Sequence, residues 1–383
     1  MKLQTVCTNM TMKRKVGVWR RGVLQFASGL GLSLLMFCTS AVAQSASVDT
    51  FQLNDSHFHL TNYIQEGTDI HDFLKIMGTT VGRVALFGIP LQQEWSYHNS
   101  GDFAPTYYLQ TDAPLYYYSF TDAYIAMAYL SLSKEDRARF DPMITGFNPA
   151  DMYAVDHIRR VLHTFPGVFS GIGEFTIHKE FVSAKVAGET ASLLNPALDR
   201  IFDFAGTVGL VVLIHNDMDV PFAPEGSQPV FLDQMKTILK RHPKTVIIWA
   251  HTGMGRIVRP ITNHAAQLAA ILADPQFSNV YFDISWNEVA KYVVATPEST
   301  RIAAELISRY PDRFLFGTDE VAPSNQDQYL RVYYQYQPLW KLLDDKTRQK
   351  VLKENYERIF DVARHKVRAW EIAQGLTSPR NSR

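Results

Sequence analysis

Eight short apolar runs recur along the chain, most of them followed by a loop and a helical stretch, and this alternation constrains the fold more than any other feature. The runs are Phe51–Leu53 leading into His57-Phe58-His59, Val81–Ile89, Met143–Phe147, Val168–Phe175, Gly209–His215, Thr245–His251, Val280–Ile284 and Phe314–Thr318. Unbroken β-branched runs fit parallel strands buried on both faces. Helical patterns lie at Asp151–His163, with Asp151 as N-cap and Pro166 as stop, and at Pro196–Phe204, Gln228–Arg241 and Ser299–Tyr310. Strands alternating with helices imply βαβ units and right-handed crossovers. Eight of them predict closure into a (β/α)8 TIM barrel, which a chain of 383 residues can form as one domain. The rival is an open doubly wound sheet, but the Gly-rich phosphate loop that accompanies it does not follow the first strand.

Residues 1–43 are set apart from this pattern. Lys13, Arg14, Lys15, Arg20 and Arg21 precede a mostly apolar run to Val42, and Ala41-Val42-Ala43 has the small-x-small form of a cleavage site. A cleaved signal peptide ending before Gln44 is expected, with a periplasmic or secreted mature protein and no stable membrane anchor. Trp19-Arg20-Arg21 also allows a twin-arginine route. The segment carries six basic and no acidic residues, so the 38 basic residues of the whole chain fall to 32 against 38 acidic ones. A mature net charge of −6, with no basic block, excludes nucleic acid as an expected partner. A small-molecule substrate is expected instead, and self-association as a homodimer is left open. Both cysteines, Cys7 and Cys38, leave with the leader. Any metal in the mature chain must therefore be held by histidines and carboxylates.

One connection is out of proportion. Pro90 to Asp141, after the second strand, contains Trp95, Tyr97, Phe103, Tyr107, Tyr108, Tyr116, Tyr117, Tyr118, Phe120, Tyr124 and Tyr129. So aromatic a loop is expected to be an ordered insertion or lid.

Four strand ends finish in residues able to ligate a metal: His57-Phe58-His59, Ile214-His215, Ala250-His251 and Gly317-Thr318-Asp319. Residues two apart on a strand point to one side, so His57 and His59 can reach one cation. In a barrel all C-terminal strand ends meet at one mouth, where barrel enzymes keep their chemistry. Each piece alone fits a structural role. Together they form a cluster whose ring nitrogens would otherwise all need partners.

This ordered set resembles the amidohydrolase superfamily, and within it the amidohydrolase-related group that includes aminocarboxymuconate-semialdehyde decarboxylase. Asn355-Tyr356-Glu357-Arg358-Ile359-Phe360 resembles that group's closing helix, so the likeness runs from Asp55 to about Phe360. It implies His57, His59, His215 and Asp319 as metal ligands and His251 as the strand-six histidine. Glu174, in Gly171-Ile172-Gly173-Glu174-Phe175, stands where binuclear members carry a bridging group. TatD-like deoxyribonucleases also use a glutamate there, but Thr176-Ile177-His178-Lys179 departs from their motif. Two arrangements remain open. In one, Glu174 bridges a His57/His59 metal and a His215/His251 metal. In the other, His57, His59, His215 and Asp319 hold one metal while Glu174 positions water or substrate; a plain pairing of Glu174 with Lys179 or Arg83 is the bland option.

The donors suit Zn2+, one ion or two, with Mn2+ as the alternative. By the resemblance Asp319 is the general base, and His251, if not a ligand, polarises the scissile carbonyl. Asp283, ending strand seven, is placed to fix a histidine tautomer. Arg256, Arg259, Lys179 and Lys185 are candidate anion contacts and Trp286 a stacking surface, with Arg256, Lys179 and Trp286 preferred for substrate. The expected reaction is hydrolysis of a small ester, lactone or amide by metal-activated water. A non-oxidative decarboxylase, a phosphoesterase with two metals, and a binding protein on an inactivated barrel are the alternatives.

Overall fold

The computed structural model of the protein describes residues 51–62, 67–89, 91–93, 115–117, 120–179, 182–183, 185–186, 189–190 and 192–376. The expected leader lies outside them, as do Trp95, Tyr97, Phe103, Tyr107, Tyr108 and Tyr118 of the aromatic connection. Among the described residues no helix is long and apolar enough to cross a membrane.

The apolar runs form the staves of a barrel: β1 (Leu53–His59), β2 (Val81–Phe87), β3 (Phe140–Ile144), β4 (Gly171–Thr176), β5 (Val211–His215), β6 (Ile247–Trp249), β7 (Val280–Asp283) and β8 (Phe314–Leu315), with a further piece, β9 (Glu320–Val321). Their spatial order follows the sequence, and every pairing is parallel. The eighth stave closes the ring in two steps. Its first piece, β8, pairs with β7, and its second, β9, pairs with β1. Between them the Ser56 amide donates to Phe316 O (3.0 Å) and the Asp319 amide to His57 O (2.7 Å).

Helices α1 (Ile70–Met77), α2 (Phe120–Ser131), α3 (Ala154–Thr164), α4 (Pro196–Val208), α5 (Leu232–Arg241), α6 (His264–Ala273), α7 (Pro297–Arg309) and α8 (Asn355–Ala373) follow the staves in turn. The expected N-cap at Asp151 is corrected. The helix begins at Ala154 after Tyr153, which offers no side-chain cap, and Asp151 instead accepts from the Tyr153 amide in the preceding turn. Thr296 caps α7 through a reciprocal pair with Ser299. Of the aromatic connection, Leu91–Gln93 and Leu115–Tyr117 form an antiparallel ribbon. Tyr124 and Tyr129, on α2, pack against the main core, whereas Phe120 is exposed.

Side-chain parity divides the core. Val212, Ile214, Phe58, Leu86 and Ile172 point outward into the layer between strands and helices. Ala85, Phe87, Val211, Leu213, Ile248 and Leu315 form a second cluster, the barrel's filling, which Tyr356, Ile359, Phe360 and Ala363 of α8 extend. The closing motif is anchored as well: Asn355 Nδ2 donates to Pro311 O and Phe314 O. His57 and His59 flank the outward Phe58, and His215 shares the parity of Val211 and Leu213, so these rings face the interior.

Candidate metal centre

Two local irregularities bring in residues that simple alternation would misplace. Along β4 and β5, Val212 pairs with Ile172 and Ile214 with Phe175, so β4 holds one extra residue, a bulge that re-aims Glu174. His251 follows Ile248 and Ala250, whose parity would send it outward. The backbone turns there instead, with φ of 55° at His251 and 53° at Thr252. Trp286, Asp319 and Ala322 also have positive φ, at 73°, 49° and 45°. Among the described residues, five of the seven non-glycine residues in this costly region thus lie at the ends of β6 and β7 and along the eighth stave.

His57, His59, Glu174, His215, His251 and Asp319 are all buried and converge. Among the described residues, potential ligand atoms gather in three sets: His57, His59, Glu174 and Asp319; Glu174, His215 and His251; and His57, His251 and Asp283. His215 therefore groups with Glu174 and His251, not with His57, His59 and Asp319. Glu174 belongs to the first two sets, and its two oxygens divide between them. Oε2 lies 3.4 Å from His59 Nε2 and 3.9 Å from His57 Nε2, while Oε1 lies 2.7 Å from His215 Nδ1 and 3.6 Å from His251 Nε2. Asp319 Oδ1 is 3.2 Å from His57 Nε2 and 3.1 Å from His59 Nε2, and Oδ2 is 3.6 Å from His251 Nε2.

The outer nitrogens fix the inner ones. His59 Nδ1 meets the Gly88 carbonyl at 3.1 Å and His57 Nδ1 meets Asp283 Oδ2 at 2.9 Å. Both partners only accept, so Nδ1 carries a proton and Nε2 is the nitrogen that would offer its lone pair to a cation in the site. His57 Nε2 and His251 Nε2 are buried without a hydrogen bond. Lone pairs and carboxylates turned toward one another repel unless a cation lies among them, so the donor set fits a metal. The electrostatics agree. Burial pulls the His57 imidazole down, yet Asp319 and Asp283 outweigh it and hold its pKa well above the ordinary value. Without an ion the ring itself therefore carries the positive charge these carboxylates attract, and it would give up its Nε2 proton to ligate one. Burial pushes the Glu174 and Asp319 carboxyls up, but Lys179 and the histidines around Glu174, and His57, His59 and His251 around Asp319, keep both well below the carboxylate range. Burial lowers His251, which stays neutral at pH 7.

The three preferred substrate contacts form one wall. Trp286 packs 5.2 Å from the His251 ring and 6.3 Å from that of His215. Lys179 Nζ and Arg256 Cζ lie 4.9 and 5.5 Å from the centre of its ring, within cation–π range. Lys179 Nζ also stands 3.7 Å from Glu174 Oε1. Arg83 lies elsewhere, bound to Asp141 and Asp361, and does not pair with Glu174. The Lys185 side chain is outside the described residues.

Three buried residues escaped the sequence reading. Asp217 Oδ1 holds His215 Nε2 at 3.1 Å, and Ser285 Oγ holds His251 Nδ1 at 2.8 Å. Asp55 accepts from the His57 and Thr318 amides, the Thr318 hydroxyl and the Tyr329 hydroxyl, stapling β1 to the eighth stave. Burial raises its carboxyl to about 6. Each lies two positions from a residue already singled out (Asp55 and His57, His215 and Asp217, Asp283 and Ser285), and that same-side spacing is the signal that would have found them.

A family model described as amidohydrolase matches residues 55–362. No curated protein matches the sequence. Among solved structures, one similar protein is assigned as a 2-pyrone-4,6-dicarboxylic acid hydrolase from Pseudomonas putida, with 13% identity, 81% of this chain and 98% of that one covered, and a TM-score of 0.49. An amidohydrolase from Burkholderia multivorans with bound zinc shares 12% identity over 82% and 99% of the two chains, with a TM-score of 0.49. A 2,6-dihydroxybenzoate decarboxylase from Rhizobium shares 12% over 82% and 99%, with a TM-score of 0.48.

Proposed function

Because the chain belongs to the amidohydrolase family, we propose that it is a hydrolase of small esters, lactones or amides working with two divalent cations, zinc by the chemistry of the donors and manganese as the alternative. The observation that carries this reading is the division of the Glu174 carboxylate, one oxygen toward His57 and His59 and the other toward His215 and His251. His57, His59 and Asp319 would hold one ion, His215 and His251 the other, and Glu174 both. When bound, such ions supply Lewis acidity and acidify a ligating water toward a pKa of ~7.

The chain's own residues do the rest. Asp319, ionised at neutral pH, is the base that takes the water's proton and returns it to the leaving group. Its Oδ2, turned toward His251, is the oxygen left over from the contacts Oδ1 makes with His57 and His59. Asp283, Asp217 and the Gly88 carbonyl hold imidazole protons away from the centre. Trp286 excludes water from one side and offers a flat surface, and Lys179 and Arg256 place positive charge beside it for an acidic substituent on the substrate.

Metal analysis of the purified protein tests this reading. Two equivalents are expected, with hydrolysis lost on chelation and restored by zinc. His57→Ala combined with His59→Ala should abolish turnover while the apo-protein stays folded. Esters, lactones and amides would be screened beside aromatic carboxylic acids, with CO2 followed in parallel. A metal-free protein of full activity, or wild-type turnover in the double variant, would overturn the proposal, and CO2 release without hydrolysis would reassign the reaction to decarboxylation.

A further inference from the structure

Beneath the centre a single hydroxyl joins the two donor sets. Ser285 Oγ, fully buried, lies 2.6 Å from Asp283 Oδ1, 2.8 Å from His251 Nδ1 and 3.2 Å from His57 Nδ1. A carboxylate only accepts, so the one hydroxyl proton goes to Asp283. Toward the rings Ser285 is then an acceptor, and His251 Nδ1 must donate to it. That assignment leaves the His251 lone pair on Nε2, the buried nitrogen with no hydrogen bond that faces Glu174 and Asp319. His57 is different, because Asp283 Oδ2 holds its Nδ1 directly.

We infer that Ser285 is a positioning residue for one cation only: it sets the ligating tautomer of His251, while Asp283 sets that of His57 and, through Ser285, underlies both. The inference rests on the two-cation reading of the site. Backbone contacts sharpen the asymmetry. Asp283 Oδ1 also accepts from the His251 amide at 2.7 Å and the Ser285 amide at 3.3 Å, so removing the hydroxyl leaves the carboxylate anchored and its grip on His57 intact. The His251 ring, by contrast, loses its hydrogen-bond acceptor on Nδ1, with Asp283 Oδ1 left 3.7 Å away and beyond hydrogen-bond reach, and can move its proton to Nε2, which then no longer ligates.

The test titrates zinc into the apo-protein by calorimetry, with cobalt absorption as a second readout and 15N-labelled histidine to report which ring nitrogen carries the proton. Ser285→Ala and Ser285→Gly should each keep one site at wild-type affinity and weaken the other about 10–100-fold. The apo-variants should show the His251 proton moved to Nε2. Asp283→Asn should weaken both sites, and Ser285→Thr, which restores a hydroxyl, should recover the second. Two sites of unchanged affinity in the hydroxyl-free variants, or equal loss at both, would overturn the inference and leave the two-cation reading standing. A single equivalent in the wild-type protein would instead overturn the two-cation reading itself.

Discussion

Gly317 has no side chain because none fits. A methyl group there would lie 2.7 Å from His57 Cβ, 3.1 Å from Ser285 Cβ and 3.1 Å from Ser56 Oγ. Carbon atoms rest about 3.5–4.0 Å apart, so the worst overlap is ~0.8 Å or more. The neighbour is a Cβ fixed to the backbone, which cannot swing aside as a side-chain tip would. Relief must part β1 from the eighth stave, and those segments are joined on either side of Gly317 by the Ser56 and Asp319 amides. Overpacking of this kind costs about 1–3 kcal/mol. At ~2–4 °C per kcal/mol for larger domains, Gly317→Ala should melt roughly 2–12 °C below wild type. The same push displaces His57, so zinc affinity should fall about tenfold or more, as when the support of a ligand is lost. Calorimetric melting of the apo-protein and zinc titration of the folded variant measure the two effects separately. A variant with wild-type melting temperature and wild-type affinity would refute the reasoning, because the methyl would then have found room that the geometry denies it.

Two further outcomes are expected. Arg256→Gln should raise KM about tenfold for substrates bearing an acidic group, with little change in kcat, since a charged hydrogen bond is worth about 1.5–3 kcal/mol and this side chain is partly solvated. An equal rise for a neutral analogue would exclude a charge contact. Burial, partly offset by the Thr252 backbone, pushes the His264 imidazole down to about 4 from the 6.5 of an unfolded chain. The unfolded chain therefore binds the proton more readily, and this contribution is whole above pH 6.5 and is lost as pH falls toward 4, by about 3 kcal/mol. Urea unfolding of wild type and His264→Phe at pH 7 and pH 5 should show a smaller pH dependence in the variant; identical slopes would show that His264 does not titrate this way.

Much of the architecture was legible in the chain because parallel strands covered on both faces must be apolar throughout. The runs from Val81, Gly209 and Val280 announced staves whose limits shifted by only a few residues on folding. The candidate ligands were legible for a related reason: imidazoles and carboxylates ending such runs are anomalies that only a shared mouth makes sensible. Their pairing was not. Parity places His57, His59 and His215 inside, but Glu174 is aimed by a bulge between β4 and β5, and His251 by a left-handed turn. Which side of Glu174 each histidine meets therefore depends on local backbone departures that leave no periodic trace. Of the groups holding the outer ring nitrogens, Asp217 stands two positions from His215 and was within reach of the spacing, whereas Ser285 and the Gly88 carbonyl depend on contacts with a neighbouring stave. Sequence by itself determined that apolar staves would close on a ring of metal-competent side chains, because burial acts on every residue of a strand. Only the tertiary structure decided how those side chains divide into two sets around one carboxylate, because that division turns on ångström-scale distances between segments remote along the chain.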